Sequence, residues 1–196
     1  MKILAVSDME SREFYDYGTA EKLAGFGLIL ACGDLRREYL EFLVTMARCP
    51  VVYIHGNHDD AYDDAPPEGC VCAEDRIYVH EGIRILGLCG SYRYRNGAHM
   101  YTEGQMARRV ARLQFQLWKW GGFDILLTHA PARHINDFDT RPHRGFQCFV
   151  SLLDKYRPKY FIHGHIHKNY DPRIPERTIY RDTTVINASG HCIFDY

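Results

Sequence analysis

The 196-residue sequence is poor in the features that mark membrane, nucleic-acid-binding and disulfide-rich proteins. No apolar run approaches the roughly 20 residues of a membrane span, and Asp8 interrupts the short apolar start where a signal peptide would continue. Lys and Arg number 24 against 25 Asp and Glu, so there is no basic excess for nucleic acid. The seven cysteines form no CxxC pair. We therefore expect a cytoplasmic protein with reduced thiols, without a membrane or nucleic-acid partner.

Repeats, low-complexity segments and linker-like stretches are also absent, which favours a single domain over residues 1–196. Strand-like and helix-like patterns alternate, and this alternation predicts an α/β architecture. Leu40, Leu43 and Ala47 have helical spacing, and a capping box at Thr102 and Gln105 predicts the start of another helix. The other predicted elements are a hairpin over 76–88, a helix through 149–156 that begins within 141–146, and two final strands over 183–188 and 191–196.

Five short apolar runs of the buried-strand type each end in metal-binding or acid–base residues. In open α/β sheets, ligands bind in the crevice outside the carboxyl ends of the strands. One such ending would carry little weight, but five predict a single assembled metal site. The residues that follow the five runs are Asp8 and Glu10, Asp34, Asn57 to Asp59, His129, and His163 to His167.

The residue types in these endings fit a pair of divalent ions. Two ions about 3.5–4 Å apart need a ligand that bridges them, and a carboxylate can bridge whereas an imidazole cannot. Asp34 is the best candidate for the bridge. Gly164 lets the backbone aim His165 and His167 in different directions, so that each could serve one ion.

In this order, the motifs Asp-x-(His), with Glu10 at its last position, Gly-Asp, Gly-Asn-His-Asp, a lone His after a strand and Gly-His-x-His resemble those of the calcineurin-like metallophosphoesterases. The resemblance extends from Asp8 to His167. It implies a four-layer α/β sandwich of two mixed β-sheets flanked by helices, with the site at the strand ends. It also implies two divalent metal ions as cofactors. Mn²⁺ is the expected metal, and Mg²⁺, Fe, Zn²⁺, Ni²⁺ and Co²⁺ are compatible with the ligands.

By similarity to the family, the two ions have separate ligand sets that share one carboxylate. His58 would face the substrate phosphate and assist the leaving oxygen, and Asp59 would orient His58. The implied reaction is direct attack on phosphorus by a metal-bound hydroxide. The ligand sets are Asp8, Asp34 and His167 at the first metal position and Asp34, Asn57, His129 and His165 at the second.

Glu10 departs from the family pattern, because the first motif usually ends in His. One interpretation is that Glu10 ligates the first ion through oxygen, which would favour hard ions such as Mn²⁺ or Mg²⁺. The alternative is that Glu10 points away and leaves the first position weak, with an ion pair to Arg12 as one way to neutralise it. No His precedes His55, so the sequence offers no local substitute.

Candidates for substrate binding lie in two segments that follow the strand endings. Arg93 and Asn96 belong to a Tyr- and Arg-rich stretch that could grip a base, sugar or phosphate, or form an ordinary loop. His143 lies near a predicted helix start, where a phosphate could bind. The acidic residues at 60, 63 and 64 could hold an accessory cation, although a solvated turn is favoured. His55 and His163 are interpreted mainly as packing residues, and His99 as ordinary.

These observations predict a metal-dependent hydrolase of a small phosphorylated substrate, most simply a phosphodiester rather than a phosphomonoester. One alternative is a nuclease, which the near-neutral charge disfavours and a local face of Arg93, Arg95, Arg108 and Arg109 would support. The other is a binding or scaffold protein in which Glu10 has weakened the first metal position. The oligomeric state does not follow from the sequence.

Overall fold

The computed structural model describes residues 1–17, 19–168, 170 and 173–196. One of its sheets runs in the spatial order β13-β1-β2-β3-β4, with β13 antiparallel to β1 and the other neighbours parallel. The strands of this first sheet are β1 (Lys2–Ser7), β2 (Leu28–Ala31), β3 (Val51–Tyr53), β4 (Val71–Cys72) and β13 (Gly190–Asp195).

A second mixed sheet has the order β11-β12-β10-β9-β6-β5, and its inner strands are parallel. Antiparallel strands form both of its edges. The strands are β5 (Arg76–His80), β6 (Ile83–Leu88), β9 (Ile125–Thr128), β10 (Tyr160–His163), β11 (Arg177–Tyr180) and β12 (Thr183–Asn187), and a separate short pair consists of β7 (Ser91–Tyr92) and β8 (Met100–Tyr101).

The predicted helices and hairpin are present. The capping box at Thr102 forms as expected, with both reciprocal hydrogen bonds to Gln105. Glu81 and Gly82 join β5 to β6 with φ values of 47° and 83°, as a tight hairpin turn of this kind requires. The helices are α1 (Ala20–Leu23), α2 (Arg37–Ala47), α3 (Glu103–Arg112), α4 (Gln114–Trp120) and α5 (Gln147–Tyr156).

Alternating side chains along the strands build a sandwich of four layers. Ile3 and Ala5 of β1 pack between the two sheets, whereas Leu4 and Val6 pack on the side of α1 and α2. In β9, Leu126 packs with residues of α3, α4 and α5, on the face opposite the space between the sheets. The α/β sandwich of two mixed sheets flanked by helices is therefore confirmed.

The two predicted final strands are present, and they lie in different sheets, because β12 pairs with β10 while β13 pairs with β1. The helix that begins at the capping box, α3, ends at Arg112, and α4 follows after Leu113. One local expectation needs correction. The helix expected to begin within 141–146 starts at Gln147.

No helix among the described residues is long and apolar enough to cross a membrane. All seven cysteines are free thiols, as the sequence predicted.

Candidate metal centre and active site

A cavity of about 310 Å³ opens at the carboxyl ends of the strands. Parallel pairing places the ends of β1, β2 and β3 on one side of it and those of β9 and β10 on the other. The strand endings predicted from the sequence therefore converge. The cavity is lined by Asp8, Asp34, Asn57, His58, Tyr94, Pro142, His143, His165, His167 and Tyr170.

The orientation of two buried imidazoles defines the centre of the cluster. His129 Nδ1 lies 2.7 Å from the carbonyl oxygen of Cys32, and His165 Nε2 lies 2.9 Å from that of Pro142. A carbonyl only accepts, so these nitrogens donate, and the other nitrogen of each neutral ring carries a lone pair. His129 Nε2 and His165 Nδ1 are 3.0 Å apart. Two lone pairs at this distance require a cation between them, which is either a proton or a metal ion.

Two oxygen atoms lie at the predicted second metal position. Asp34 Oδ2 lies 3.3 Å and Asn57 Oδ1 lies 3.1 Å from His129 Nε2. Carboxylate, amide and imidazole donors thus surround one point, and this mixture suits a divalent metal ion. Each imidazole donates its remaining N–H to a backbone carbonyl, as metal-bound histidines do.

Charge in this cluster favours a cation at the same point. Burial opposes a positive charge on His129, but the Asp34 carboxylate outweighs it and raises the pKa of His129 to about 9. Burial and the neighbouring His129 lower the pKa of His165 to about 3. Burial acts to raise the pKa of Asp34, but His129 and His58 lower it, so the carboxylate stays ionised. The residues present therefore fit a metal ion.

The predicted first metal position is built around Asp8. Its side chain is fully buried, and Oδ1 lies 3.4 Å from His167 Nε2. Both carboxylate oxygens also accept from the backbone N–H of His165, at 3.1 and 3.0 Å. The ring of Tyr170 stacks on His167 with centroids 5.0 Å apart. Asp8 and His167 therefore lie side by side in the cavity that Asp34 also lines.

Backbone strain is concentrated at the predicted ligands. Asp8, Asp34 and His165 have φ values of 63°, 55° and 66°, a region that residues with a Cβ rarely adopt. A Cβ at Gly56 would collide with the Asp34 carboxylate, and one at Gly164 would collide with Ser7. The glycines allow this close approach, and such strain clusters at functional sites.

Glu10 lies outside the cavity lining. Its two oxygens accept from Arg36, at 2.5 Å from Nε and 2.6 Å from a terminal guanidinium nitrogen. Arg36 immediately precedes α2, so the partner differs from the Arg12 considered from the sequence. A ligand role for Glu10 therefore requires the carboxylate to leave Arg36.

His58 and Asp59 have different environments. The Asp59 carboxylate accepts from the backbone N–H of Asp34 and of Gly56, both at 2.7 Å, and so holds the turn that carries Asp34. The His58 ring instead has Arg95 3.3 Å from Nδ1. Arginine only donates, so Nδ1 accepts and the proton of the neutral ring is on Nε2. The contact that orients His58 comes from Arg95, whereas Asp59 was expected to provide it.

The predicted substrate-binding residues are only partly brought together. Arg93 donates to the carbonyl of Met100 at 3.2 Å, and Asn96 is exposed outside the cavity lining. Tyr94 lines the cavity and Arg95 reaches His58. The sequence thus identified the correct segment, but the residues nearest the cavity are Tyr94 and Arg95, which lie between the two predicted residues. Tyr170 and the Pro142 carbonyl were not found, because neither stands in a motif.

His143 lines the cavity, and its ring lies near His165 and Tyr170, with centroids 5.4 and 5.1 Å away. The helix start expected to hold a phosphate is occupied differently. The backbone N–H groups of Gln147 and Cys148 donate to the Glu103 carboxylate at 2.9 and 2.8 Å. The N-terminus of α5 is therefore already neutralised by an acidic side chain.

Two facing sheets with clustered carboxylate, amide and imidazole donors at their strand ends define the class of metal-dependent phosphoesterases. The model of the calcineurin-like phosphoesterase superfamily domain matches residues 1–191, and the chain belongs to that family. Among curated proteins, UPF0046 protein T07D4.2 of Caenorhabditis elegans is 30% identical over 103 residues, which cover 50% of this chain and 24% of the relative. The chain thus matches only about a quarter of that protein.

Solved structures share the fold at low sequence identity. TT1561 of Thermus thermophilus has a TM-score of 0.62 at 15% identity, with 96% of this chain and 88% of that chain covered. A hypothetical protein from the same organism has a TM-score of 0.56 at 16% identity, with 96% and 76% covered. GAP50, an anchor in the inner membrane complex of Plasmodium, has a TM-score of 0.52 at 10% identity, with 96% and 71% covered.

Proposed function

We propose that this protein is a dinuclear metal-dependent phosphodiesterase of the calcineurin-like family. The observation that carries the proposal is the convergence of Asp34, Asn57, His129 and His165. Their donor atoms face one another while the remaining N–H of each ring is bound elsewhere. Such a set has no use in a packed protein core, but it suits a divalent ion.

In this proposal Asp8, Asp34 and His167 hold the first ion, and Asp34 bridges to the second. Two ions bound there would activate water and neutralise the charge of the phosphate. Mn²⁺ is the metal we expect, because oxygen and imidazole ligands are mixed. Glu10 would join the first position only after exchanging its Arg36 partner for the ion.

His58 is proposed to assist the leaving oxygen. Arg95 holds Nδ1 as an acceptor, so the ring is neutral and its Nε2–H can donate a hydrogen bond to that oxygen. His58 itself lines the cavity, and its backbone N–H donates to Asp34 Oδ1 at 2.8 Å. The same carboxylate therefore links His58 to the proposed metal centre.

The cavity lining favours a phosphodiester over a phosphomonoester. Its described residues include neither Lys nor Arg, so a dianionic monoester would find no cationic side chain. Tyr94, Tyr170 and His143 instead offer ring surfaces for an organic substituent. We infer a small diester with one aromatic or heterocyclic group, handled in the cytoplasm, where free thiols persist.

Two observations weigh against a nuclease. Arg93 is bound to the Met100 carbonyl, and Arg109 is bound to Asp75 at 3.0 Å. Arg108 and Arg109 line a depression with Gln105 and Arg112, and none of these residues lines the metal cavity. The basic face considered from the sequence is therefore not assembled along a path to the site.

The scaffold alternative keeps one supporting observation, the capture of Glu10 by Arg36. This capture leaves the first metal position without the residue that would complete its ligand set. GAP50 shows that an anchor can have this fold, but a binding protein has no use for the His58–Arg95 contact at the cavity.

The test is hydrolysis of bis(p-nitrophenyl) phosphate and of p-nitrophenyl phosphate with added Mn²⁺. We expect diester turnover above monoester turnover, and loss of both after replacement of His129. Asp64→Ala, on the exposed turn, is the matched control. No turnover with fully metal-loaded wild-type protein would overturn the phosphodiesterase proposal and favour the scaffold.

A further inference from the structure

Behind the cavity lies a second group of potential metal ligands, here called the His55–His99 cluster. It consists of His55, Asp63, Glu74 and His99. His55 follows β3, Asp63 follows the 3-10 turn at Asp60–Tyr62, and His99 precedes β8. None of these four residues lines the metal cavity. The cluster is therefore separate from the proposed dinuclear centre.

Both imidazoles of the cluster are buried and each has an unused nitrogen. His55 and His99 are each 7% exposed. Nε2 of His55 and Nε2 of His99 are buried without a hydrogen bond to any described residue. A buried polar nitrogen left in this way costs free energy, so a missing partner is expected at this point.

Glu74 determines which nitrogen of His55 is available. Its Oε1 contacts His55 Nδ1 and also accepts from the His55 backbone N–H at 2.7 Å. The carboxylate accepts, so Nδ1 donates to it, and Nε2 is the nitrogen left for another partner. A carboxylate behind a histidine in this manner is the arrangement that orients metal-bound imidazoles.

Asp63 faces the two unused nitrogens. Its Oδ1 lies 3.7 Å from His55 Nε2 and its Oδ2 lies 3.4 Å from His99 Nε2. Ligands about 2.1 Å from a tetrahedral zinc ion lie about 3.4 Å from one another. The distances from the Asp63 oxygens to the two ring nitrogens are therefore close to those expected between ligands of one shared ion.

We propose that His55, His99 and Asp63 bind a divalent ion of the zinc type, with water as a fourth ligand. The two rings are now stacked, with centroids 4.4 Å apart and planes at 21°. The ring planes run nearly side by side, so binding opens the stack and turns both Nε2 atoms toward the ion.

The role of this ion would be structural. It ties the end of β3 to the turn that follows His58 and Asp59, through Asp63. It also ties both to the segment before β8, which carries Tyr94 and Arg95. The ion would thus fix the two segments whose contact is the Arg95–His58 hydrogen bond. This site lies outside the cavity, and its occupancy does not depend on the proposed phosphodiesterase activity.

The experiment that localises the ion is crystallography of Zn²⁺-loaded protein with anomalous data on both sides of the zinc absorption edge. We expect a peak within bonding distance of His55, His99 and Asp63 in the wild type. Asp63→Asn should remove that peak and leave any peaks in the metal cavity unchanged. Asp64→Asn, one residue away on the same exposed turn, should retain all of them. A wild-type map with zinc in the cavity and none at this cluster would overturn the proposal.

A solution measurement provides the second readout. Co²⁺ bound by two imidazoles and a carboxylate in tetrahedral geometry absorbs in the visible range, so chelator-competed Co²⁺ titrations should give an absorption band that Asp63→Asn abolishes. His129→Ala, which acts on the cavity, should leave this band in place. Equal spectra in the wild type and Asp63→Asn would contradict the site. Loss of phosphodiesterase activity alone would not affect either outcome.

Discussion

The proposed second metal position takes donors from Asp34, Asn57, His129 and His165, whereas the proposed first takes Asp8 and His167 beside the shared Asp34. The second lies on strand ends from both sheets, and its ring nitrogens are oriented by backbone carbonyls. At the first, the residue that departs from the family pattern is bound to Arg36. Glu10 stands where the family pattern has an imidazole, and Arg36 competes with a metal ion for its carboxylate. The two positions should therefore differ in affinity for metal.

The largest expected effect comes from the stronger position. His129→Ala should lose the second ion and reduce kcat by roughly a thousandfold or more, because the ion supplies several kcal/mol of charge stabilisation and each 1.4 kcal/mol is a factor of ten. Metal analysis and diester turnover measure both effects. His80→Ala is the control, since that ring bonds the Gly27 carbonyl outside the cavity. If His129→Ala keeps its metal content and its rate, the second position is not the stronger one, and the comparison between the two metal positions has no basis.

His58→Ala should separate assistance to the leaving oxygen from metal binding. We expect a loss of roughly a hundredfold on diesters with alkyl leaving groups, because removal of one hydrogen-bond donor to a developing oxyanion costs roughly that much in kcat. The loss should be much smaller with p-nitrophenolate, whose leaving oxygen carries less charge. Metal content should remain that of the wild type. An equal loss for both leaving groups would show that His58 does not assist the leaving oxygen.

Arg95→Ala should have a smaller effect through the orientation of His58. A hydrogen bond from a charged donor is worth about 1.5–3 kcal/mol before solvent screening, and Arg95 is exposed. We therefore expect roughly a tenfold loss of kcat, confined to substrates with basic leaving groups. Asn96→Ala is the neighbouring control and should match the wild type. If both variants behave alike, Arg95 does not position His58.

The smallest effect tests the weaker position directly. Arg36→Ala frees the Glu10 carboxylate and should tighten the first ion by roughly fivefold or less, since exposed ion pairs contribute little. The Arg36 side chain is 65% exposed. Mn²⁺ titration measures the change, with Arg12→Ala as the control. The gain should disappear in the Arg36→Ala, Glu10→Ala double variant. A gain that survives there would show that Glu10 is no ligand.

The parts predicted well from the sequence are those determined by short-range patterns. The β-strand endings predicted that Asp8, Asp34, Asn57, His165 and His167 would meet, because parallel strands bring their carboxyl ends to one edge. The capping box at Thr102 also depends only on adjacent residues. For these elements, local spacing already contains the relevant geometry.

The residues that were placed differently depend on contacts between distant segments. The Glu10–Arg36 pair joins residues 26 positions apart, and the Arg95–His58 contact joins residues 37 apart. Likewise, Glu103 reaches the start of α5 from α3. Side-chain direction in loops such as 93–96 is set by tertiary packing, so the segment could be predicted but not which of its residues faces the cavity.

The measurement that tests the central claim most directly is Mn²⁺ titration of metal-free protein, followed by electron paramagnetic resonance. A dinuclear centre bridged by Asp34 predicts two Mn²⁺ ions per chain, a tighter and a weaker one, with a spin-coupled spectrum when both are bound. Asp34→Asn should abolish the coupling. Fewer than two ions, or two ions with an uncoupled spectrum in the wild type, would contradict the bridged pair.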